Sequence, residues 1–332
     1  MLQSSPHLDH LRLRQLRLLE LIDRHKSLRA VAEAMNLTQP AVSQMLKDLE
    51  YAFGATLVER SVRGAVLSPV GRVALQRAKA GLAIFDQLAL ELRTDKPTVV
   101  RVGTNPACLY KLIPSALRHL SVSDADIRVR LAAGTVGTMV SGLLDGELDC
   151  YVGRVDWATM PVPIADLLRY EPLTETGLVV ACSVDHPLAS RHQVSAAELA
   201  GWPWALPSAE TNNRSSIETA FRNCGVPAPL PAIEVGADPI SQLCLAVETG
   251  VLICVPRVLL ETEVAGNRIV PLVTPDLSLP PIRICFVTLH ESDHLPAIHH
   301  LRSALMAVCE GDSQGARSDG RATIIAGDAD SP

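Results

Sequence analysis

Apolar residues recur with helical spacing in two neighbouring stretches near the start of the chain. In each stretch they fall three and four positions apart, so that they form one buried stripe along a helix. The first stripe is Leu28, Val31, Ala32 and Met35, and the second is Val42, Met45, Leu46 and Leu49. The pattern predicts two helices that are joined by a tight turn at Asn36-Leu37.

Capping residues mark the start of both helices. The hydroxyl of Ser27 can accept a backbone N–H of the first helix, and Thr38 can do the same for the second. Pro40 fits the first turn of a helix, where the backbone needs no amide donor. A helix pair of this kind places its second helix in the major groove of DNA.

Polar side chains occupy the outward side of the second helix. Gln can pair with adenine through two hydrogen bonds, and Lys can reach guanine or phosphate. A basic two-stranded wing at 57–67 follows and is expected close to the phosphate backbone. We predict these DNA-contacting residues: Arg29, Thr38, Gln39, Pro40, Ser43, Gln44, Lys47, Arg60 and Arg63. The alternatives are a solvated helix face in an ordinary bundle and, for Arg60, an ion pair with Glu59 or Glu50 that supports the wing.

This ordered combination resembles the N-terminal signature of the LysR-type transcriptional regulators. The resemblance is carried by Thr-Gln-Pro-Ala-Val-Ser at 38–43, Leu-Val-Glu-Arg at 57–60, Arg-Gly at 63–64 and Leu-Ser-Pro-Val-Gly at 67–71. Val58 stands where family members usually carry Phe, which changes packing under the wing and removes no DNA contact. The resemblance implies double-stranded operator DNA, a small-molecule effector and a second copy of the chain, in a dimer or tetramer, as partners. RNA polymerase is expected as a further partner.

A linker helix is predicted between two domains. We assign 8–68 to a winged helix-turn-helix domain and 69–96 to this helix. Apolar residues in it form a short heptad seam: Leu75, Ala78, Leu82, Phe85, Ala89 and Leu92. The alternative is an amphipathic helix lying on its own domain. The position between domains favours pairing with a second chain, and the family resemblance implies the same dimer helix.

Strands and helices alternate after residue 97, which is typical of a mostly parallel sheet covered by helices. A weaker resemblance to the same family continues here, for example in Leu-Leu-Asp-Gly-Glu-Leu-Asp at 143–149. It implies an effector-binding domain at 97–310 with two Rossmann-like α/β subdomains joined by crossing strands, as in type 2 periplasmic binding proteins.

The subdomain boundaries are predicted as follows. The first subdomain takes 97–166 plus 270–310 and the second takes 167–269, with crossings near Asp166 and Ile269. The stretch 311–332 is rich in Gly, Asp and Ser and is predicted to be a disordered tail.

An effector site is expected beyond the carboxyl ends of the strands, where helix N-termini present unpaired N–H groups. We predict these lining residues: Thr104, Asn105, Thr135, Thr211, Asn212, Asn213 and Asp238. Helix N-termini favour an anion, and Arg214 nearby would strengthen that preference, so a small carboxylate such as an aromatic or sugar acid is the leading hypothesis. Because Asp238 would repel an anion, a neutral sugar or polyol stays open as the alternative effector.

Charge is divided unevenly along the 332 residues. The net charge is −6, yet residues 1–96 hold 14 Lys or Arg and 10 Asp or Glu, while the remainder holds 16 and 26. Attraction to phosphate therefore belongs to the N-terminal part.

Other chemistry is weakly supported. The eight cysteines form no C-x-x-C pair, and most lie in apolar runs as expected for buried residues of a reducing cytoplasm. We expect no membrane span and no signal peptide, and therefore a cytoplasmic protein. No metal-ligand spacing and no nucleophile–base constellation stands out, so no metal, no cofactor and no enzymatic activity are expected.

Two functional hypotheses remain. The first is a cytoplasmic DNA-binding regulator of the LysR type whose operator contacts change when a metabolite enters the C-terminal cleft. The second is a small-molecule binding or catalytic α/β protein that has acquired a helical interaction module. Salt-sensitive, sequence-selective binding to DNA separates them.

Overall fold

The structure is a computed structural model that describes residues 11–61, 64–91, 98–122, 127–155, 160–236, 238–261, 266–290, 292–293 and 295–322. The chain divides into two compact units. The first comprises Met1–Pro97 with Ser141–Leu148, and the second comprises Thr98–Val140 with Asp149–Pro332.

Within 11–91, the described residues of the first unit form four helices and a two-stranded wing. They are α1 (Leu13–His25), α2 (Leu28–Ala34), α3 (Gln39–Phe53), β1 (Val58–Ser61), β2 (Gly64–Leu67) and α4 (Pro69–Glu91). Both predicted caps are present, since the Ser27 hydroxyl accepts from the Ala30 N–H and the Thr38 hydroxyl accepts from the Ala41 N–H. The apolar stripes of α2 and α3 are buried with α1 in one core, which confirms the predicted helix pair.

The wing is an antiparallel pair that runs from Val58 opposite Leu67 to Ser61 opposite Gly64. Gly64 has a φ of 123°, and an added Cβ would collide with the backbone oxygen of Lys26, so only glycine fits. The next residue donates its N–H to that same oxygen, Ala65 N to Lys26 O, at 2.9 Å. The wing is therefore fixed to the end of α1.

Exposure divides α4 into two halves. Leu75 and Ala78 lie in the core of the first unit, and Leu82 is also buried. Phe85 is 50% exposed and Ala89 is exposed, while Leu92 lies outside the described residues. The prediction of one seam facing a second chain is therefore wrong for Leu75 and Ala78, because α1 packs against this part of α4.

The first sheet of the second unit has the strand order β4-β3-β5-β12-β6. Its strands are β3 (Thr98–Thr104), β4 (Ile127–Ala133), β5 (Cys150–Arg154), β6 (Leu168–Thr176) and β12 (Ile282–Leu289). β3 pairs in parallel with β4 and β5, whereas β12 is antiparallel to β5 and β6. The helices in this part of the chain are α5 (Leu112–Val122), α6 (Val136–Leu144), α7 (Val162–Ala165) and α11 (Pro296–Ala322).

The second sheet has the strand order β11-β7-β10-β8-β9. Its strands are β7 (Leu178–Ser183), β8 (Trp204–Pro207), β9 (Pro231–Val235), β10 (Leu252–Pro256) and β11 (Ile269–Pro271). The helices here are α8 (Ala196–Ala200), α9 (Asn212–Asn223) and α10 (Pro239–Thr249). Two sheets with intervening helices confirm the predicted α/β class, and we call the parts built on the first and second sheets subdomains 1 and 2.

The crossings between the subdomains lie later in the chain than predicted. β6 belongs to the first sheet and β7 to the second, so the first crossing is at Gly177 rather than near Asp166. β11 belongs to the second sheet and β12 to the first, which places the other crossing at 272–281 rather than near Ile269. The boundaries 97–166 plus 270–310 and 167–269 are corrected accordingly. β6 was assigned to the wrong subdomain because it is an edge strand, and its many exposed residues hide its pairing with β12.

The structure differs from the predicted disordered tail over 311–322 only. α11 continues through 311–322, and 323–332 lie outside the described residues. Extending an existing helix needs no new nucleus and adds one hydrogen bond for each residue that is fixed.

The eight cysteines are free, and most of them are buried, as predicted. Among the described residues, no helix is both long and apolar enough to cross a membrane.

Candidate functional site

The outward face of α3 presents a row of polar side chains. Gln39, Gln44 and Lys47 are exposed and Ser43 is half-buried, while the apolar residues on the other side of the helix fill the core. Gln44 donates from Nε2 to Asp48 Oδ1 at 2.8 Å, one turn further along. The face combines donors and acceptors that match base edges in a major groove.

The remaining predicted DNA contacts surround this face. Arg29, Pro40 and Arg60 are exposed, and Arg29 Nε lies 3.3 Å from Glu33 Oε1. Thr38 is exposed too, but its hydroxyl caps α3. Arg63 lies outside the described residues.

Glu50 is a residue of this region whose role the sequence did not predict. Its Oε1 accepts the backbone N–H groups of Leu57 at 2.8 Å and Val58 at 3.1 Å, at the start of the wing. Glu50 therefore ties α3 to the wing, and this carboxylate oxygen is already engaged by the backbone rather than reserved for Arg60.

A cleft of about 680 Å³ opens between subdomains 1 and 2. It is lined by the loops that follow β3, β4, β8 and β9, as predicted, and by residues at the ends of β5 and β10. Five of the predicted effector residues are among the lining residues: Asn105, Thr135, Thr211, Asn212 and Asn213. The helix N-termini of α6, α9 and α10 also meet here.

Two predicted effector residues do not line the cleft. Thr104 is fully buried, with 0% exposure, and its hydroxyl donates to the backbone oxygen of Val152 at 2.8 Å. Asp238 is the N-cap of α10 and accepts from the N–H groups of Ile240 and Ser241. Both predictions are corrected, because each side chain is used to build the backbone below or beside the cleft.

The charge of Asp238 is held by that cap. Partial burial disfavours the charge, but the hydrogen bonds from Ser241 and the Ile240 N–H outweigh it and lower the pKa of Asp238. Tyr110 donates to Asp238 Oδ1 at 3.3 Å across the two subdomains, and burial together with this carboxylate raises the pKa of Tyr110. Asp238 therefore keeps its negative charge, and a neutral sugar or polyol stays open as the ligand.

Arg214 does not provide the positive charge that was expected in the cleft. It is 8% exposed, and its Nε donates to Glu218 Oε1 at 2.5 Å, four residues along α9. The expectation is wrong because Arg214 does not line the cleft, and its guanidinium is engaged by Glu218 and, through Nη1, by the backbone oxygen of Pro207 at 3.4 Å.

Arg154 brings a positive charge to the cleft instead. It ends β5 in subdomain 1, lines the cleft, and donates to Asn213 Oδ1 at 3.4 Å and Ser216 Oγ at 3.2 Å on α9 of subdomain 2. A signal was present in the sequence, since the strand Cys-Tyr-Val-Gly-Arg ends in a charged residue at the sheet edge where ligands bind.

Asn105 and Tyr151 hold the backbone of Arg154. Asn105 Oδ1 accepts from the Arg154 N–H at 2.6 Å, and the Tyr151 hydroxyl lies 2.8 Å from Asn105 Oδ1 and 2.8 Å from the Arg154 oxygen. Burial raises the pKa of Tyr151, so its hydroxyl stays protonated and can donate. Asn105 therefore acts through its carbonyl as a support for Arg154.

Ion pairs engage two of the glutamates that line the cleft. Lys111 of subdomain 1 lies 3.5 Å from Glu261 of subdomain 2, and Arg283 lies 3.1 Å from Glu175. Among the described residues, no three His, Cys, Asp or Glu side chains are grouped so that they could hold a metal ion.

Comparison with known families agrees with this division of the chain. The LysR substrate binding domain matches residues 93–310, more than half of the chain, and the bacterial regulatory helix-turn-helix protein family of the lysR type matches residues 13–72. The chain belongs to the LysR family. It is a DNA-binding transcriptional regulator whose C-terminal domain is of the effector-binding type. The match over 13–72 decides against an N-terminal part that serves only as an interaction module.

Named relatives are transcriptional regulators. The HTH-type transcriptional regulator GbpR of Azospirillum brasilense is 29% identical over 243 residues, which cover 72% of this chain and 69% of that protein. The HTH-type transcriptional regulator PcaQ of Agrobacterium fabrum is 27% identical over 265 residues, which cover 78% of this chain and 83% of that protein.

Solved structures share the fold. ArgP from Mycobacterium tuberculosis has a TM-score of 0.64 and 19% identity, over 91% of this chain and 98% of that one. The LysR family regulator CbnR has a TM-score of 0.53 and 18% identity, over 90% and 99%.

Proposed function

We propose that this LysR-family regulator reads operator DNA with the outward face of α3 and responds to a small carboxylate bound in the cleft between its subdomains. The observation that carries the proposal is the cleft itself, which combines helix N-termini, amide side chains and the Arg154 guanidinium in about 680 Å³. This volume is within the range of small-molecule sites. A neutral sugar or polyol remains the second candidate, because Thr135 and the Asn side chains of the lining also suit hydroxyl groups.

Base recognition is assigned to four residues of α3: Gln39, Ser43, Gln44 and Lys47. They are the polar residues on the side of the helix opposite the core, and their side chains offer both donors and acceptors. Arg29 and Arg60 are assigned to phosphates, because both are exposed cations at the ends of elements. We propose the same role for Arg63.

Assembly is assigned to the exposed half of α4. Ile84, Phe85 and Leu88 are 38%, 50% and 46% exposed and lie within two turns of one helix. A second copy of the chain that covers them would bury apolar area and bring two recognition helices to one operator. Two half-sites then contribute to affinity together.

The cellular setting follows from the assigned role. A regulator of transcription acts where its operator is, so we place it in the cytoplasm, with RNA polymerase as the partner whose activity it changes. The relatives' names support a regulator rather than an enzyme.

Alanine substitution on α3 tests the recognition face. A preferred DNA fragment is first selected from genomic fragments with the full-length protein. Gln44→Ala should weaken binding to that fragment about tenfold and relax the preference at one base pair, since a good base contact contributes about 1–3 kcal/mol.

Gln193→Ala is the matched control, because Gln193 is an exposed glutamine of the second unit. Alanine variants of Gln39, Ser43 and Lys47 are tested in the same way. If all four variants bind with the affinity and base preference of the wild type, this face does not read DNA.

A further inference from the structure

One side chain of the recognition face is already held by a neighbour in α3. Of the four residues assigned to base recognition, Gln44 alone makes a side-chain hydrogen bond to another described residue. Its Nε2 donates to Asp48 Oδ1 at 2.8 Å. Residues four positions apart lie side by side on a helix, so this pair forms without any change in the backbone. The amide of Gln44 is therefore oriented before DNA arrives.

The chemistry of Asp48 decides which end of the amide it holds. At neutral pH an aspartate carboxylate only accepts hydrogen bonds, whereas an amide donates through its nitrogen and accepts through its oxygen. Rotation of the Gln44 amide by 180° would bring two oxygens together. Asp48 thus holds the Nε2 end, and Oε1, which has no partner among the described residues, is the end left for DNA.

The pair lies outside the core of the first unit. Gln44 and Asp48 are both exposed, and neither belongs to the apolar cluster that α3 forms with α1 and α2. A Gln–Asp pair with this spacing also stabilises a helix surface, but only slightly. Substitution of either residue should therefore leave the fold intact, so that a change in DNA recognition can be measured by itself.

An outward acceptor divides the bases in a definite way. In the major groove adenine N6 and cytosine N4 are donors, whereas guanine O6 and thymine O4 are acceptors. On the strand that it contacts, an acceptor such as Gln44 Oε1 groups adenine with cytosine and rejects guanine and thymine. A free glutamine amide does not make this division, because it can rotate and present either end.

We propose that Asp48 is a specificity-determining residue of this regulator. It fixes the Gln44 amide with Oε1 outward, so that Gln44 reads a base that carries an exocyclic amine. This inference rests on the proposed function, since it requires α3 to read DNA, and it adds the class of base and the residue that selects it. Asp48 is a positioning residue, because it acts through Gln44 and needs no contact of its own with a base.

The experiment first locates the base pair that Gln44 reads. Full-length protein is titrated with the selected genomic fragment and with versions in which each base pair is replaced in turn by the other three. The position sought is the one at which Gln44→Ala abolishes the preference. On one strand of that position, wild type should bind the adenine and cytosine versions at least about fivefold more tightly than the guanine and thymine versions.

Asp48 is then replaced at this known position. Asp48→Ala and Asp48→Asn should each reduce the preference to about twofold or less, because the Gln44 amide can then rotate. Adding Gln44→Glu to Asp48→Asn should restore the preference, since the new amide at 48 donates to the new carboxylate at 44 and an acceptor stays outward. Glu59→Ala is the matched control, because it removes an exposed negative charge of the wing and should leave the preference unchanged.

Four results would overturn the proposal. The first is a division of the four versions into purines and pyrimidines, which would indicate donation from Gln44 to a purine N7. The second is a preference that Asp48→Ala leaves at its wild-type size. The third is an effect of Asp48→Ala on base preference that persists in the Gln44→Ala background, and the fourth is no altered preference at any base pair in Gln44→Ala. Wild-type selectivity for the genomic fragment over scrambled DNA tells each of these failures from a failure of the regulator itself.

Discussion

Glu50 illustrates how a single side chain shapes the DNA-binding half. It lies in α3, yet its carboxylate accepts the N–H groups of Leu57 and Val58, and so fixes the start of the wing relative to the recognition helix. Both of those residues are themselves buried. An unpaired N–H at such a place costs about 1–3 kcal/mol.

Replacement of Glu50 should therefore loosen the wing. We expect Glu50→Ala to lower the free energy of unfolding of the first unit by about 1–3 kcal/mol and to weaken operator binding. Urea unfolding of the full chain and fluorescence anisotropy with labelled DNA measure the two effects. Glu50→Gln keeps an oxygen acceptor and should lose less of both. An unchanged unfolding midpoint in Glu50→Ala would show that the wing does not depend on this carboxylate.

His186 is a second residue with a measurable consequence. Its Nδ1 accepts the Leu188 N–H at 3.1 Å, its ring packs edge-on against Trp202, and its buried Nε2 has no hydrogen-bond partner among the described residues. Burial lowers the pKa of His186. The folded protein thus favours the neutral ring, and the unfolded chain binds the proton more readily.

Acidification should therefore destabilise the second unit through His186. The stability that the second unit gains from a neutral His186 ring is fully present above the unfolded pKa of about 6.5. It is lost as the pH falls through the lower pKa of the folded protein. In a series of Tm measurements from pH 7.5 to 5, His186→Asn should show a smaller loss, because its amide oxygen can accept the Leu188 N–H without titrating. His192→Gln, at an exposed position, is the control. Parallel Tm curves for wild type and His186→Asn would contradict this account.

Side-chain direction is the part of the site that the sequence did not reveal. The caps Ser27 and Thr38 were predictable because their partners lie three residues away. The roles of Arg214 and Arg154 were not predictable, since the sequence does not show that Arg214 pairs with Glu218 while Arg154 lines the cleft. Glu218, four residues after Arg214, was the available clue.

At the scale of elements, α4 combines two roles that one apolar pattern cannot separate. Steps of three and four residues describe both a helix packed on its own domain and a helix paired with a second copy. Leu75 and Ala78 follow the first description, and the exposed Phe85 and Leu88 leave room for the second. β6 was also hard to recognise. It is an edge strand, and its many exposed residues obscure the alternation of buried and exposed positions that marks a strand.

The two halves of α4 should respond differently to a buried charge. Phe85→Asp combined with Leu88→Asp should convert the oligomer to monomer in sedimentation velocity while the Tm of the monomer is retained. Leu75→Asp should instead unfold the first unit, at a cost on the order of several kcal/mol, because a carboxylate without a partner enters the core. An unchanged sedimentation coefficient in the double variant would place the contact between copies elsewhere.

At the scale of the whole molecule, the boundary between basic and acidic sequence coincides with the boundary between the DNA-binding part and the remainder of the chain. The basic excess lies within residues 1–96 and the acidic excess in the remainder, so attraction to DNA is confined to the part that carries α3. The order of strands and helices was predictable from alternating apolar runs, since each run must be buried on a sheet. The positions of the crossings were not, because they depend on which sheet an edge strand joins.

The central claim is that one chain couples selective DNA binding to a ligand in the cleft. Its most direct test is a titration of the full-length protein with the selected genomic fragment and with a scrambled fragment of the same composition. Each titration is run with and without the carboxylate that gives the largest thermal shift. We predict a preference of at least about a thousandfold for the selected fragment, and a ligand-induced change in that affinity of about fivefold or more with little change for scrambled DNA. Equal affinity for the two fragments, or a selected-fragment affinity that the bound ligand leaves unchanged, would contradict it.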